Sequence, residues 1–111
     1  MDSRIDERDT HRTLIVRGES LTKGFEGPFE GVITFEKRSD GIYYEARLEQ
    51  PSSGHLATRG MLISTRRIPA DRDAFQYAAD HALEGLRRAR INRKPAYRVS
   101  AWSWKSGAGA A

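Results

Sequence analysis

The chain has 111 residues, the usual size of one domain, and it contains no cysteine. This excludes a disulfide framework, a thiolate metal site and a thiol nucleophile, while 38% hydrophobic and 31% charged residues leave material for a small core. The formal net charge is +4 and is unevenly distributed: residues 1–65 hold 9 basic and 11 acidic residues, and residues 66–111 hold 10 basic and 4 acidic ones. The basic second half favours an anionic partner, although such a charge also keeps small proteins soluble.

Both ends of the chain lack the periodicity of secondary structure. Residues 1–11 are nearly all polar and residues 106–111 are mostly small, so we expect a disordered N-terminal segment, a single α+β domain over residues 12–105 and a flexible tail. The N-terminal segment has no apolar stretch like that of a signal peptide, and no later run approaches the length of a membrane span. These patterns predict a cytoplasmic protein with no membrane partner.

The first elements in chain order have the composition of β-strands. Residues 13–17 are rich in β-branched side chains and predict a strand that ends at Gly18. The glycines between residues 24 and 31, with Phe25, Pro28 and Phe29 among them, predict a connecting loop with apolar anchors.

A β-hairpin is the clearest local signal. Strand-like residues 32–37 and 42–49 flank Asp40-Gly41, a preferred pair for a type I′ turn. With these two as turn residues, Phe35 lies opposite Ala46 and Ile33 opposite Leu48. The four side chains then share a face that we expect to pack against a helix, while Thr34, Glu36 and Arg47 point to solvent.

A third strand of the meander is predicted over residues 56–68, before Pro69. Its apolar residues Met61, Leu62 and Ile63 are consecutive, so the side that faces the core stays open, and Gly60 is a candidate bulge.

The strongest helical period runs from about Asp73 to Arg90. Asp73 and Gln76 have the spacing of a capping box, with Asp71 as the competing cap. One apolar stripe is expected to cover the sheet; it consists of Phe75, Ala78, Ala79, Ala82, Leu83, Leu86 and Ala89.

A last strand is predicted after Pro95, over residues 96–104. Strict alternation places Tyr97, Val99 and Ala101 on one side and Arg98, Ser100, Trp102 and Trp104 on the other. The elements together predict an α+β fold: an antiparallel meander sheet of three to five strands, covered on one face by a single long amphipathic helix near the C-terminus.

The sequence offers no catalytic constellation. His11, His55 and His81 have no second ligand at metal spacing, and the glycines match neither a phosphate-binding loop nor a dinucleotide fingerprint. We therefore expect no catalytic residue, no metal site and no cofactor, and a small enzyme is a distant third interpretation.

Two groups of residues are candidates for binding. Tyr43, Arg98, Trp102 and Trp104 are candidate protein contacts: Tyr43 lies on the outer face of the predicted hairpin, and a last strand with two outward indoles presents an apolar patch that a monomer normally avoids. The alternative is that the last strand buries an indole against the sheet. Arg87, Arg88, Arg90, Arg93 and Lys94 are candidate contacts for an anion or nucleic acid; the alternative for these is compensation of the helix macrodipole.

Residues 74–86, AFQYAADHALEGL, follow the strand meander and resemble the closing β-β-β-α of double-stranded-RNA-binding domains. That family has basic residues at the start of its last helix, where this sequence has Asp71 and Asp73. The resemblance therefore implies no RNA-binding residue in this chain. Residues 30–90 also resemble small uncharacterised betaproteobacterial proteins that pair a strand meander with an Ala-rich closing helix. The resemblance implies a fold and no activity.

The leading functional hypothesis is a non-enzymatic interaction module that engages another protein or a second copy through the outer face of the sheet and the last strand with its two tryptophans. The alternative is a weak nucleic-acid binder that uses the basic end of the helix.

Overall fold

A computed structural model of the chain describes residues 10–24, 26–50, 54–57 and 60–105. Its strands are β1 (His11–Ser20), β2 (Gly27–Arg38), β3 (Gly41–Gln50), β4 (Gly54–Ala57), β5 (Met61–Ser64), β6 (Arg90–Ile91), β7 (Lys94–Pro95) and β8 (Tyr97–Trp104). A 3₁₀ turn (Thr65–Arg67) and the helix α1 (Ala74–Arg88) lie between β5 and β6. The main sheet has the order β4-β3-β2-β1-β8, and α1 packs against it, as the predicted α+β fold requires.

The main sheet has one buried face, called here the inner face, and one outer face that is largely exposed. Alternation along β1, β2 and β3 produces this difference, since successive side chains of a strand point to opposite sides. The inner face holds Leu14, Val16, Phe29, Ile33, Phe35, Ile42, Tyr44, Ala46 and Leu48. Thr34 and Arg47 are exposed on the outer face, and Glu36 is partly exposed there, which confirms the predicted faces.

The first two strands are longer than the sequence predicted. β1 continues past Gly18 to Ser20, and β2 begins at Gly27, so Pro28 and Phe29 belong to a strand rather than to a loop. Gly18 allows a close approach instead of ending the strand, because a Cβ there would collide with the carbonyl oxygen of Arg98 in β8.

The register of the β2–β3 hairpin differs from the prediction by two residues. Arg38 pairs with Gly41, which leaves Ser39 and Asp40 as the turn, and Phe35 lies opposite Tyr44 rather than Ala46. A shift of two residues keeps every side chain on its face. Gly41 opens β3 with φ +154°, and a Cβ there would collide with the carbonyl oxygen of Ile63.

The predicted third meander strand is divided into two short ones. β5 pairs with the first half of β3 and β4 with its second half, so both lie along the same edge. Of the three consecutive apolar residues in β5, Ile63 is fully buried, whereas Met61 and Leu62 are exposed by 45% and 39%. Ile63 is therefore the residue of β5 that faces the core, which the sequence did not determine.

Helix α1 begins after Asp73, whose carboxylate accepts a hydrogen bond of 3.0 Å from the backbone N–H of Gln76. This contact identifies Asp73, and not Asp71, as the cap. The stripe of α1 is buried as predicted from Phe75 to Leu86. The helix ends at Arg88 rather than Arg90, because Ala89 already pairs with the next segment through a bond from the N–H of Ala96. No helix of the described residues is long and apolar enough to cross a membrane.

Candidate interaction surfaces

Both tryptophans of β8 lie on the inner face, contrary to the predicted outward orientation. Trp104 pairs with Leu14 and Trp102 with Val16, both of which are inner-face residues of β1. A β-bulge at Ser100 causes the difference, since Arg17 pairs with Ala101 whereas Gly18 pairs with Val99. One extra residue reverses the alternation. Tyr97, Val99, Trp102 and Trp104 therefore share the inner face.

The indole of Trp104 packs between the sheet and α1 and is only partly exposed. Its ring centroid lies 5.6 Å from that of Phe35, and its Nε1 donates a hydrogen bond of 3.3 Å to Oε1 of Gln76 on α1. The guanidinium of Arg12 lies 4.6 Å from the ring centroid of Phe75 and 5.8 Å from that of Trp104. This indole corresponds to the alternative in which the last strand packs one ring against the sheet.

Trp102 remains accessible, with 39% of its surface exposed. Its exposure is comparable to that of Leu62 on β5, and the two residues lie on opposite edges of the sheet. An exposed indole is the kind of side chain that anchors protein contacts. Of the four predicted protein contacts, Trp102 is the one that combines an apolar ring with high exposure.

The far side of β8 pairs with no strand in the described part of the chain. The backbone N–H of Lys105 donates to the carbonyl of Thr13, so Lys105, and by alternation Ser103, direct their backbone groups towards β1. Trp102 and Trp104 consequently direct their N–H and C=O groups away from β1. We call this open row of backbone groups the β8 edge.

Arg98 and Tyr43 are not part of the same surface as Trp102. Arg98 lies on the outer face, where its Nη1 is 3.0 Å from Oε1 of Glu19 in β1. Tyr43 lies on the outer face of β3, two strands beyond β1. Its hydroxyl donates a hydrogen bond of 2.8 Å to Glu45, which raises the pKa of Tyr43, and the guanidinium of Arg38 lies 4.1 Å from its ring centroid.

The predicted basic cluster occupies the end of α1 and a small hairpin beyond it. Arg87 and Arg88 are in the last helical turn, whereas β6 and β7 form a two-stranded ribbon, here called the basic hairpin (residues 90–95). Its turn residues Asn92 and Arg93 have φ of 55° and 68°. Positive φ at both central positions is the geometry of a type I′ turn, in which Asn-Gly is preferred. An L-residue with a Cβ in this region costs about 1 kcal/mol relative to glycine.

The basic hairpin is exposed along its whole length, and buried Ala96 anchors its base. Arg88 is bonded to Glu84 at 2.6 Å, while Arg90 reaches the carbonyl of Arg93 at 3.5 Å. Among the residues that the structure describes, no acidic side chain forms an ion pair with any of the other three cations; these are Arg87, Arg93 and Lys94.

Other cations lie near the N-terminal end of α1. Arg66 and Arg67 precede α1, so they are separated from the basic hairpin by the length of the helix, about 22 Å for 15 residues. A depression of about 230 Å³ in the same region is lined by Lys37, Arg38, Gly41, Ile42, Thr65, Ile68, Pro69, Ala70, Arg72 and Ala74. Two of its three cations already face carboxylates: Arg38 contacts Glu36, and Arg72 contacts Asp80.

The described residues contain no group of three His, Asp or Glu side chains that could hold a metal ion. A half-buried His81 on α1 has Nδ1 3.0 Å from the hydroxyl of Tyr44, so its ring contributes to packing between helix and sheet.

Comparison of the chain with protein-family models, curated proteins and solved structures finds no match.

Proposed function

We propose that this chain is a non-enzymatic interaction module that associates with a second copy of itself through the β8 edge, with Trp102 as the exposed anchor of the contact. The observation that carries the proposal is the coincidence of an open strand edge with an exposed indole on the same residue. An unpaired edge is a template for pairing with another strand.

The composition of β8 supports self-pairing. Edge strands that avoid association carry charges or proline, but the stretch from Val99 to Trp104 contains neither. The bulge at Ser100 lies near the middle of β8 and leaves residues 101–104 regular. Two copies can therefore align this uncharged stretch without placing like charges opposite each other.

The direction of the backbone groups selects a register. In an antiparallel pair about a twofold axis at Ser103, Trp102 of one copy lies opposite Trp104 of the second, and the outward N–H and C=O groups of both residues are paired. The same register places the indoles of the two copies side by side on the inner face. Such aromatic cross-strand pairs stabilise antiparallel sheets.

Sedimentation velocity over a series from low to high micromolar protein tests the proposal. We expect a concentration-dependent monomer–dimer equilibrium and a blue shift of tryptophan emission on association. Trp102→Lys places a charge on the edge and should weaken dimerisation at least about tenfold, whereas Trp102→Phe should retain it.

Leu62→Lys is the matched control, because Leu62 is equally exposed on the opposite edge. It should leave the equilibrium unchanged. A wild-type chain that sediments as a monomer throughout, or equal losses in Trp102→Lys and Leu62→Lys, would contradict the proposal. Far-ultraviolet circular dichroism of each variant verifies that it is folded.

A further inference from the structure

We infer that the basic hairpin, together with Arg87 and Arg88, binds the phosphate backbone of a nucleic-acid duplex without reading its sequence. This inference rests on residues 87–95 and is independent of the β8 edge. The stretch holds five cations and no acidic residue. All five side chains are exposed, and they lie in the last turn of α1 and on the hairpin that follows it.

Compensation of the helix macrodipole accounts for only part of this cluster. The effect of the dipole falls off within the last turn of a helix. Arg87 and Arg88 lie in that turn, but Arg90, Arg93 and Lys94 follow it on the hairpin. The helix macrodipole therefore does not explain the positions of these three cations.

Arg93 provides the second observation. Its φ of 68° is unfavourable for a residue with a side chain, and glycine would suit the turn better. The turn nevertheless carries an arginine, so a guanidinium lies at the tip of the hairpin, between Asn92 and Lys94. A residue held in a sparsely populated conformation points to a functional constraint at that position.

The chemistry of the cluster favours phosphates over bases. Four of the five cations are arginines, whose planar guanidinium matches phosphate oxygens through paired hydrogen bonds. Residues 87–95 contain no aromatic side chain on which a base could stack. The only large apolar side chain is Ile91, 45% exposed, which is little apolar surface for insertion into a lipid bilayer. A duplex backbone is the anion that fits.

Fluorescence anisotropy with a labelled mixed-sequence DNA duplex at low salt tests the inference. We expect the logarithm of the affinity to fall linearly with the logarithm of the salt concentration, and equal affinities for unrelated sequences. Arg93→Gly should weaken binding about fivefold. Its melting temperature should stay equal or rise, since glycine relieves the turn, so the loss cannot come from unfolding.

A triple variant measures the cluster as a whole. Replacing Arg90, Arg93 and Lys94 by Ala, Gly and Ala should weaken binding at least about thirtyfold and flatten the salt slope by about one for each cation removed. The matched control replaces Lys37, Arg66 and Arg67 by Ala. These three cations are also exposed, and they carry no ion pair in the described part of the chain.

We expect the control to bind nearly as tightly as the wild type. Three results would overturn the inference: equal losses in the hairpin and control variants, which would reduce the effect to net charge; absence of duplex binding by the wild type; or hairpin-dependent binding to phosphatidylglycerol vesicles without binding to the duplex.

Discussion

Tyr44 places a polar group at the boundary between sheet and helix. Its ring centroid lies 5.5 Å from that of Phe35, and its hydroxyl lies 3.0 Å from Nδ1 of His81 and 3.5 Å from the sulfur of Met61. Burial raises the pKa of Tyr44, because the phenolate would lose its hydration there. Tyr44 thus joins β3 to α1, and its burial favours the protonated hydroxyl.

Stability should fall at alkaline pH as a result. Below the ordinary tyrosine pKa of about 10 both the folded and the unfolded chain hold the proton, so the contribution of Tyr44 is complete; above it the unfolded chain ionises first and the free energy of unfolding decreases. Tyr44→Phe should cost about 1 kcal/mol at neutral pH and reduce the alkaline decrease. Urea unfolding at neutral pH and near pH 11 measures both, and an identical alkaline decrease in the two proteins would refute the assignment.

Two single residues, Gly41 and Ser100, show which features of the fold could not be predicted from the sequence. The Asp40-Gly41 pair correctly predicted a hairpin, but Gly41 is required by the close approach of Ile63, which is 22 positions away. The bulge at Ser100 arises from pairing with β1 at the other end of the chain. Neither contact leaves a signal in the neighbouring residues, so the register and the orientation of Trp102 could not be derived locally.

At the scale of elements, local information was sufficient wherever the period lies within the element itself. The helical stripe from Phe75 to Leu86 and the alternation in β2 and β3 were predicted on the correct faces, because each residue's side is set by its own neighbours. The start of α1 depends on its N-cap residue, for which the sequence left two candidates, Asp71 and Asp73. The structure identifies Asp73 as the cap, and a pair of substitutions tests this assignment.

Asp73→Ala should destabilise the protein by about 1 kcal/mol, because the backbone N–H of Gln76 loses its acceptor. Asp71→Ala is the matched control and should change the free energy of unfolding by less than about 0.5 kcal/mol, the usual range for a surface substitution. Thermal or urea unfolding of both variants decides; equal costs would show that Asp73 does not act as the cap.

At the scale of the whole molecule, the two candidate surfaces are consecutive in the chain. The basic hairpin ends at Pro95, Ala96 anchors it in the core, and β8 begins at Tyr97. An antiparallel pair of β8 strands would therefore direct the two hairpins of a dimer in opposite directions. Apart from Tyr43, the candidate residues predicted from the sequence lie in the last quarter of the chain, but the geometric relation between the two surfaces depends on the position of β8 at the sheet edge.

This arrangement predicts that dimerisation strengthens binding to long duplexes. Lys94 lies nine residues before Ser103, so at about 3.3 Å per residue the two hairpins would be at most about 60 Å apart across the twofold axis. A duplex of about 40 base pairs is long enough to contact both hairpins at this separation, whereas one of about 10 base pairs, near 34 Å long, covers little more than half of it. Binding at the second hairpin then becomes intramolecular, which raises the overall affinity. Trp102→Lys should therefore weaken binding to the long duplex, measured by anisotropy at protein concentrations that dimerise the wild type, while leaving binding to the short one nearly unchanged. An equal effect on both lengths would mean that the β8 edge and the basic hairpin do not act together.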